Sequence, residues 1–301
     1  MRFADNRNKI GKYIPAVVFL IFIYGIALWF LFSPKTDYSS SEKRYLQKFP
    51  DANVEKVLSG EFGSEFETFF ADQFPQRNTW VGINAYTTLA EGNNGASGVY
   101  NCKNGYLINK PVSTENNLDK NIGAVADFAK SIGTPTTVML VPSTGYIADD
   151  VLPTFHDKYN DDEDISRISS TLSKDKIGFV DLRERFKSEY KNGSQLYYKT
   201  DHHWTTKGAY TGYQELCKAL GITPIDDSTL KKDSYPGFYG TTYSSSGFWL
   251  TPPDNIEIWS NPNNSSKNIS VKITEGANIK TSGSMYFTCL LYTSDAADDR
   301  I

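Results

Sequence analysis

The stretch Leu196-Tyr197-Tyr198-Lys199-Thr200-Asp201-His202-His203-Trp204-Thr205-Thr206-Lys207-Gly208 holds two of the chain's three histidines, set beside a carboxylate and an indole. Residues 196–198 read as the end of an aromatic strand. Thr205 or Thr206 can cap a helix running over about 207–220. Asp201, His202, His203 and Trp204 thus fall on a strand-to-helix turn, the place where α/β proteins put reactive groups.

Side chains alternate in an extended segment, so Asp201 and His203 are expected on one face and His202 on the other. A carboxylate next to an imidazole is the orienting half of a nucleophilic triad. It fixes the ring tautomer and stabilises the imidazolium formed when the ring takes a serine's proton. The plainer alternative is a surface turn in which Asp201 caps the helix and the histidines are solvated. A metal site from Asp201, His202 and His203 is the third reading. Adjacent histidines splay apart in extended chain and His156 is the only other one, so neither metal nor cofactor is expected.

Working outward, strand and helix patterns alternate through residues 116–220. Helical periodicity over 116–131 stops at Gly133, and 136–141 is a β-branched apolar run suited to a strand covered on both faces. Asp161, Asp162, Glu163 and Asp164 read as a solvated helix start with acids at the positive dipole end. A strand over 179–182 and a helical turn or two over 183–190 follow. This alternation predicts an α/β domain, a mainly parallel sheet covered by helices, with ligands beyond the carboxyl ends of the strands. Ser143 lies just past one such end, but its setting, Val141-Pro142-Ser143-Thr144-Gly145, lacks the Gly-x-Ser-x-Gly form of a nucleophile elbow.

Toward the N-terminus, Ile14–Phe32 is nineteen residues without a charge, preceded by Arg2, Arg7, Lys9 and Lys12. At 1.5 Å per residue it spans about 28 Å, close to the hydrocarbon thickness of a bilayer. The basic flank keeps Met1 in the cytoplasm and sends the remainder outside. No small-x-small pattern follows Phe32, which favours an uncleaved anchor over a signal peptide. Residues 33–41 read as a linker. A helical lead-in over 42–95 carries Phe62, Phe66, Phe69 and Phe70 at helical spacing, the mark of a core face. Residues 98–108 read as a hairpin turning at Lys103-Asn104-Gly105. The net charge of −4, with no basic cluster past the first dozen residues, argues against nucleic acid. Cys102, Cys217 and Cys289 form no metal or redox spacing.

Thr200-Asp201-His202-His203-Trp204-Thr205 resembles the signature of the DHHW protein family of Gram-positive bacteria. That family is similar, more distantly, to the alginate O-acetyltransferases with their SGNH-type Ser-His-Asp triad. Phe74-Pro75-Gln76-Arg77, 99–108, 138–143 and Leu152-Pro153 agree with it. The resemblance implies an SGNH-like three-layer α/β/α domain with Asp201 and His203 as acid and base. Ser143, Trp204 and His202 are the candidate substrate-binding residues; Ser143 lines the family's site without being its nucleophile. It further implies O-acetyl transfer or ester hydrolysis on a cell-surface polysaccharide, and a membrane-bound O-acyltransferase partner that exports the acyl group.

Two regions stand apart. Residues 221–262 carry Tyr235, Phe238, Tyr239, Tyr243, Phe248 and Trp249 among small and turn residues, read as an insertion offering an aromatic wall to sugars or forming its own small core. From Cys289 onward the sequence leaves the family pattern and resembles translated adapter read-through. The expected organisation is thus a basic tail (1–13), an anchor (14–32), a linker (33–41), a helical lead-in (42–95), an SGNH-like domain (96–288) truncated before its serine, and a non-native tail (289–301). A non-catalytic surface protein, binding glycan or scaffolding an assembly, is the rival reading, because fold alone does not fix function.

Overall fold

In a computed structural model of the chain, the described residues are 12–39, 41–112, 117–262, and the backbone of Val271–Glu275 and Asn278–Ser282. The basic residues before Lys12 and the expected tail 289–301 lie outside them. The chain divides into two compact units, 1–87 and 88–301.

In the first unit, helix α1 (Ile14–Phe32) has the sequence-derived bounds, and none of its window is buried against protein. A two-residue ribbon follows, β1 (Tyr38–Ser39) with β2 (Arg44–Tyr45). Then come α2 (Val54–Ser59), α3 (Glu61–Asp72) and α4 (Arg77–Ala90). Asn53 caps α2 by accepting from the Lys56 N–H at 2.8 Å. Asp72, buried at the end of α3, ties the ribbon to the helices. It accepts two hydrogen bonds from the Arg44 guanidinium, at 2.6 and 3.0 Å, and one from the Gln47 N–H at 2.9 Å. The expected core face of α3 is only partly realised: Phe69 is buried, while Phe66 and Phe70 remain exposed.

The second unit opens with a three-stranded antiparallel sheet, β3 (Gly95–Ala96), β4 (Val99–Asn101) and β5 (Leu107–Asn109). Asn104 and Gly105 turn the β4–β5 hairpin with positive φ, the region glycine and asparagine tolerate. Helix α5 (Leu118–Ile132) leads to β6 (Thr137–Leu140), and the short α6 (Thr144–Ile147) follows. Helix α7 (Asp161–Lys174), β7 (Gly178–Asp181) and α8 (Arg183–Lys191) come next. Strands β6 and β7 pair in parallel with Val138 opposite Phe179 and Met139 opposite Val180. The pleat then sends alternate residues to opposite sides. Val138 and Phe179 pack with Ile122, Ala126, Ala129, Leu172 and Ile177 of the α5–α7 side. Met139 and Val180 pack with Ile147, Leu182, Phe186, Leu196 and Tyr197. Two apolar faces on one strand pair are what a sheet covered by helices on both sides requires.

The expected mainly parallel sheet is reduced to that pair among the described residues. The third strand is not there: Tyr197 bridges Trp204 of its own segment instead. Helix α9 (Thr206–Leu220) follows, capped by Thr205, whose Oγ1 accepts from the Gly208 N–H at 3.1 Å. The expected loop insertion is partly regular. Strand β8 (Lys231–Phe238) runs antiparallel to β9 (Asp254–Ser260), and α10 (Thr241–Ser246) lies between them. Beyond, β10 (Val271–Glu275) pairs antiparallel with β11 (Asn278–Ser282).

Candidate active site

Residues 196–205 fold back on themselves. The Tyr198 N–H donates to the His203 carbonyl at 3.2 Å and the Thr205 N–H to the Leu196 carbonyl at 2.8 Å, so 199–203 form a bend and not an extended run. Three supports hold the bend. Trp204 lies beside Phe186, ring centroids 6.4 Å apart, over two glycines of α9. A Cβ on Gly212 would come within 2.9 Å of the Trp204 ring, and one on Gly208 within 2.3 Å of the Leu196 carbonyl oxygen. The buried Tyr197 hydroxyl donates to the Pro142 carbonyl at 2.5 Å, joining the bend to the loop after β6. Asp254, at the start of β9, accepts from the N–H groups of Lys199 (3.1 Å) and Thr200 (2.7 Å), the Thr200 hydroxyl (2.7 Å) and the Gln195 amide (3.0 Å).

Inside this frame Asp201 is buried, and its Oδ1 lies 2.5 Å from His203 Nδ1 and 2.9 Å from the His203 N–H. Its Oδ2 accepts from the Thr241 N–H at 2.7 Å and the Thr241 hydroxyl at 3.1 Å. Burial alone would raise the Asp201 carboxyl. The hydrogen bonds from His203 and Thr241, with the attraction of the ring, outweigh it and hold the group well below the usual carboxylate range. An ionised carboxylate on Nδ1 keeps that nitrogen protonated and leaves proton exchange to Nε2, the division of labour in a hydrolase triad.

His203 lines a cleft of about 640 Å³, together with His202, Trp204, Tyr197, Ser143 and Asp161. The three candidate substrate-binding residues, Ser143, His202 and Trp204, are therefore brought together with His203 on one cleft, while Asp201 stands behind it. The position of His202 is a correction to the sequence reading. Its ring lies over that of His203, centroids 4.0 Å apart, and its Nδ1 is 3.0 Å from Thr241 Oγ1. The backbone bends where alternation was assumed, so the two imidazoles share a side. With Asp201 they offer one ligand atom each within 4.8 Å of one another. Two ligands of one tetrahedral zinc, at about 2.0–2.1 Å from it, stand about 3.3 Å apart. The 2.5 Å between Asp201 Oδ1 and His203 Nδ1 is instead the distance of a hydrogen bond, with no room for an ion bound to both.

Ser143 is held by Asp161, whose carboxylate accepts from the Ser143 N–H at 2.6 Å and its hydroxyl at 2.7 Å. The acid run is thus not merely solvated. Asp162 likewise accepts from the Tyr146 hydroxyl and from Arg183, the latter at 3.1 Å. Gly240, Thr241 and Asp254 were not singled out from sequence. A Cβ on Gly240 would stand 2.2 Å from Asp201 Cβ, so only glycine admits the carboxylate there. A Gly-Thr-Thr run opening a helical turn, with N–H groups that have no partner inside the helix, was the available signal. The aromatic wall takes another form. Phe248 is buried, and Tyr239 stacks on Tyr243, which meets Trp249 edge-on, none of the three lining this cleft.

Comparison with known proteins adds to this geometry. Residues 106–237 match the family model described as an SGNH hydrolase-like domain, acetyltransferase AlgX. No curated protein matches the chain. Among solved structures, the O-acetyltransferase domain of Pseudomonas putida AlgJ aligns at 17% identity and TM-score 0.45, covering 54% of this chain and 64% of that one. A DHHW family protein from Eubacterium siraeum aligns at 22% and 0.47, covering 55% of each. Bacillus cereus PatB1 aligns at 19% and 0.48, covering 60% and 64%. The chain thus spans less than two thirds of the length of each. Over residues 106–237, the span that contains the Asp201–His203 pair, the chain is similar to the SGNH hydrolase-like acetyltransferases of the AlgX family.

Proposed function

We propose that the protein is a membrane-anchored, extracytoplasmic O-acyl transferase or esterase, acetyl being the expected group and a cell-surface polysaccharide the acceptor. The observation that carries the reading is the hydrogen bond between the buried Asp201 carboxylate and His203 Nδ1 on the wall of a cleft. His203 takes the proton of a serine hydroxyl as that oxygen attacks the acyl carbon, and returns it to the departing group of the donor. In the second half, His203 takes the proton of a glycan hydroxyl, which accepts the acyl group and restores the serine. Asp201 fixes the tautomer and stabilises the imidazolium in both halves. Ser143, tied to Asp161, serves as a wall of the cleft, with His202 and Trp204. The match over residues 106–237 supports the chemistry. The apolar helix Ile14–Phe32 supports the anchor, facing outward, with a membrane-bound O-acyltransferase as supplier of the acyl group.

The test uses p-nitrophenyl acetate, with and without a cell-surface glycan acceptor, on a chain that carries the serine. His203→Ala is expected to remove at least about 10³-fold of the turnover, the scale of a lost triad base. Unchanged turnover in His203→Ala would leave the non-catalytic surface protein as the better reading.

A further inference from the structure

Phe62, Phe66, Phe69 and Phe70 recur at helical spacing along α3, the pattern of a buried face, yet Phe66 and Phe70 are 38% and 40% exposed. Phe49 extends the stripe, its ring centroid 6.0 Å from Phe66 and 5.4 Å from Phe69. On the neighbouring α2, Val54, Val57 and Leu58 share one side at i, i+3 and i+4, and Leu58 is 82% exposed. Lys56 ties the two helices together through Glu61 at 3.0 Å and Glu65 at 2.8 Å. Exposed apolar side chains along two helices joined in this way mark an interaction site.

What it meets is indicated by where the stripe ends. Phe30, in the last turn of α1, lies edge-on to Phe69 at 6.0 Å and beside Phe70 at 4.6 Å. Phe30 stands two residues from the end of an apolar span whose own side chains are exposed to their surroundings all round. Rings touching it are held at the depth where hydrocarbon gives way to headgroups, the zone that favours aromatic side chains. Lys35 completes the pattern. Its ammonium is 3.5 Å from the Phe30 ring centroid, a cation placed where lysines reach back along apolar surface to the headgroups.

We propose that α2 and α3 form a juxtamembrane shelf, with Phe49, Val54, Leu58 and Phe66 entering the interfacial layer of the bilayer at the outer end of α1. The proposal rests on reading α1 as the membrane anchor. Lipid is the occupant because the apolar stripe is continuous with the span itself.

The full chain, with Cys102→Ala, Cys217→Ala and Cys289→Ser, is reconstituted into phosphatidylcholine–phosphatidylglycerol vesicles and spin-labelled at one introduced cysteine at a time. Val54→Cys and Leu58→Cys test the shelf. Ser64→Cys reports the opposite side of α3, and Leu20→Cys reports α1. Collision rates with oxygen, which partitions into lipid, and with a water-soluble nickel chelate are compared at each site. The expected result is an oxygen-to-nickel ratio several-fold higher at positions 20, 54 and 58 than at 64. If position 20 reads as lipid while 54 and 58 read like 64, the shelf is overturned and the anchor stands. Low collision with both reagents at 54 and 58 means that protein covers the face, and also overturns the shelf. If position 20 itself reads as water, the anchor reading fails and takes the shelf with it.

Discussion

Asp201 and Asp254 are both nearly buried, 3% and 5% exposed, and each accepts four hydrogen bonds around the same short bend. They differ in what donates. Asp254 takes two backbone N–H groups, a hydroxyl and a side-chain amide, none of which changes charge near neutral pH. Asp201 takes one bond from an imidazole, and that ring faces a cleft. The first carboxylate can only shape the chain. The second is coupled to a group that titrates, so the same kind of burial becomes a device for placing a proton.

The largest effect expected from this contrast is on chemistry. Asp201→Asn, nearly isosteric, should lower acyl turnover by about 10³–10⁴-fold by permitting the wrong tautomer, with a much smaller change in the urea midpoint. Asp254→Ala should do the reverse in kind. Leaving the N–H groups of Lys199 and Thr200 and the Thr200 hydroxyl without their acceptor should cost about 3–5 kcal/mol of stability in urea titration. Were Asp254→Ala to unfold at the wild-type midpoint, the division between a shaping and a working carboxylate would collapse.

Gly240→Ala sharpens the comparison because the atoms nearest its added Cβ all belong to Asp201. Its added Cβ needs space now taken by the Asp201 side chain, 2.2–2.6 Å away. A stability loss of about 1–3 kcal/mol is expected, together with a fall in turnover. The smallest effect is on the acid limb of stability. The Asp201 carboxyl is held below its ordinary value by its donors, so its contribution is complete above about pH 4 and is lost as pH falls toward the depressed folded value. Urea midpoints between pH 5 and pH 2 should therefore decline less steeply in Asp201→Asn than in the wild type.

The sequence exposed some of this and hid the rest for physical reasons. The Asp201–His203 pair was legible because rare residue types crowd into one stretch. The bounds of α1, the positions of β6 and β7, and the Thr205 cap follow from local patterns of hydropathy and capping. His202 was misplaced because alternation assumes extended chain, whereas the pairing of Tyr197 with Trp204 closes a bend over 199–203. The same bridge removes the expected third parallel strand. Gly240, Thr241 and Asp254 were illegible because their roles depend on register with a segment about forty to fifty residues away, which no local pattern encodes.

That separation has a consequence in time. The Thr241 bond to Asp201 joins residues 40 apart in the chain, and the Asp254 bond to Thr200 joins residues 54 apart. Contacts of such long range close late in folding, after local helices and hairpins have formed. Until they close, nothing holds the Asp201 carboxylate in place beside the His203 imidazole. The reactive geometry switches on only when the last segment docks.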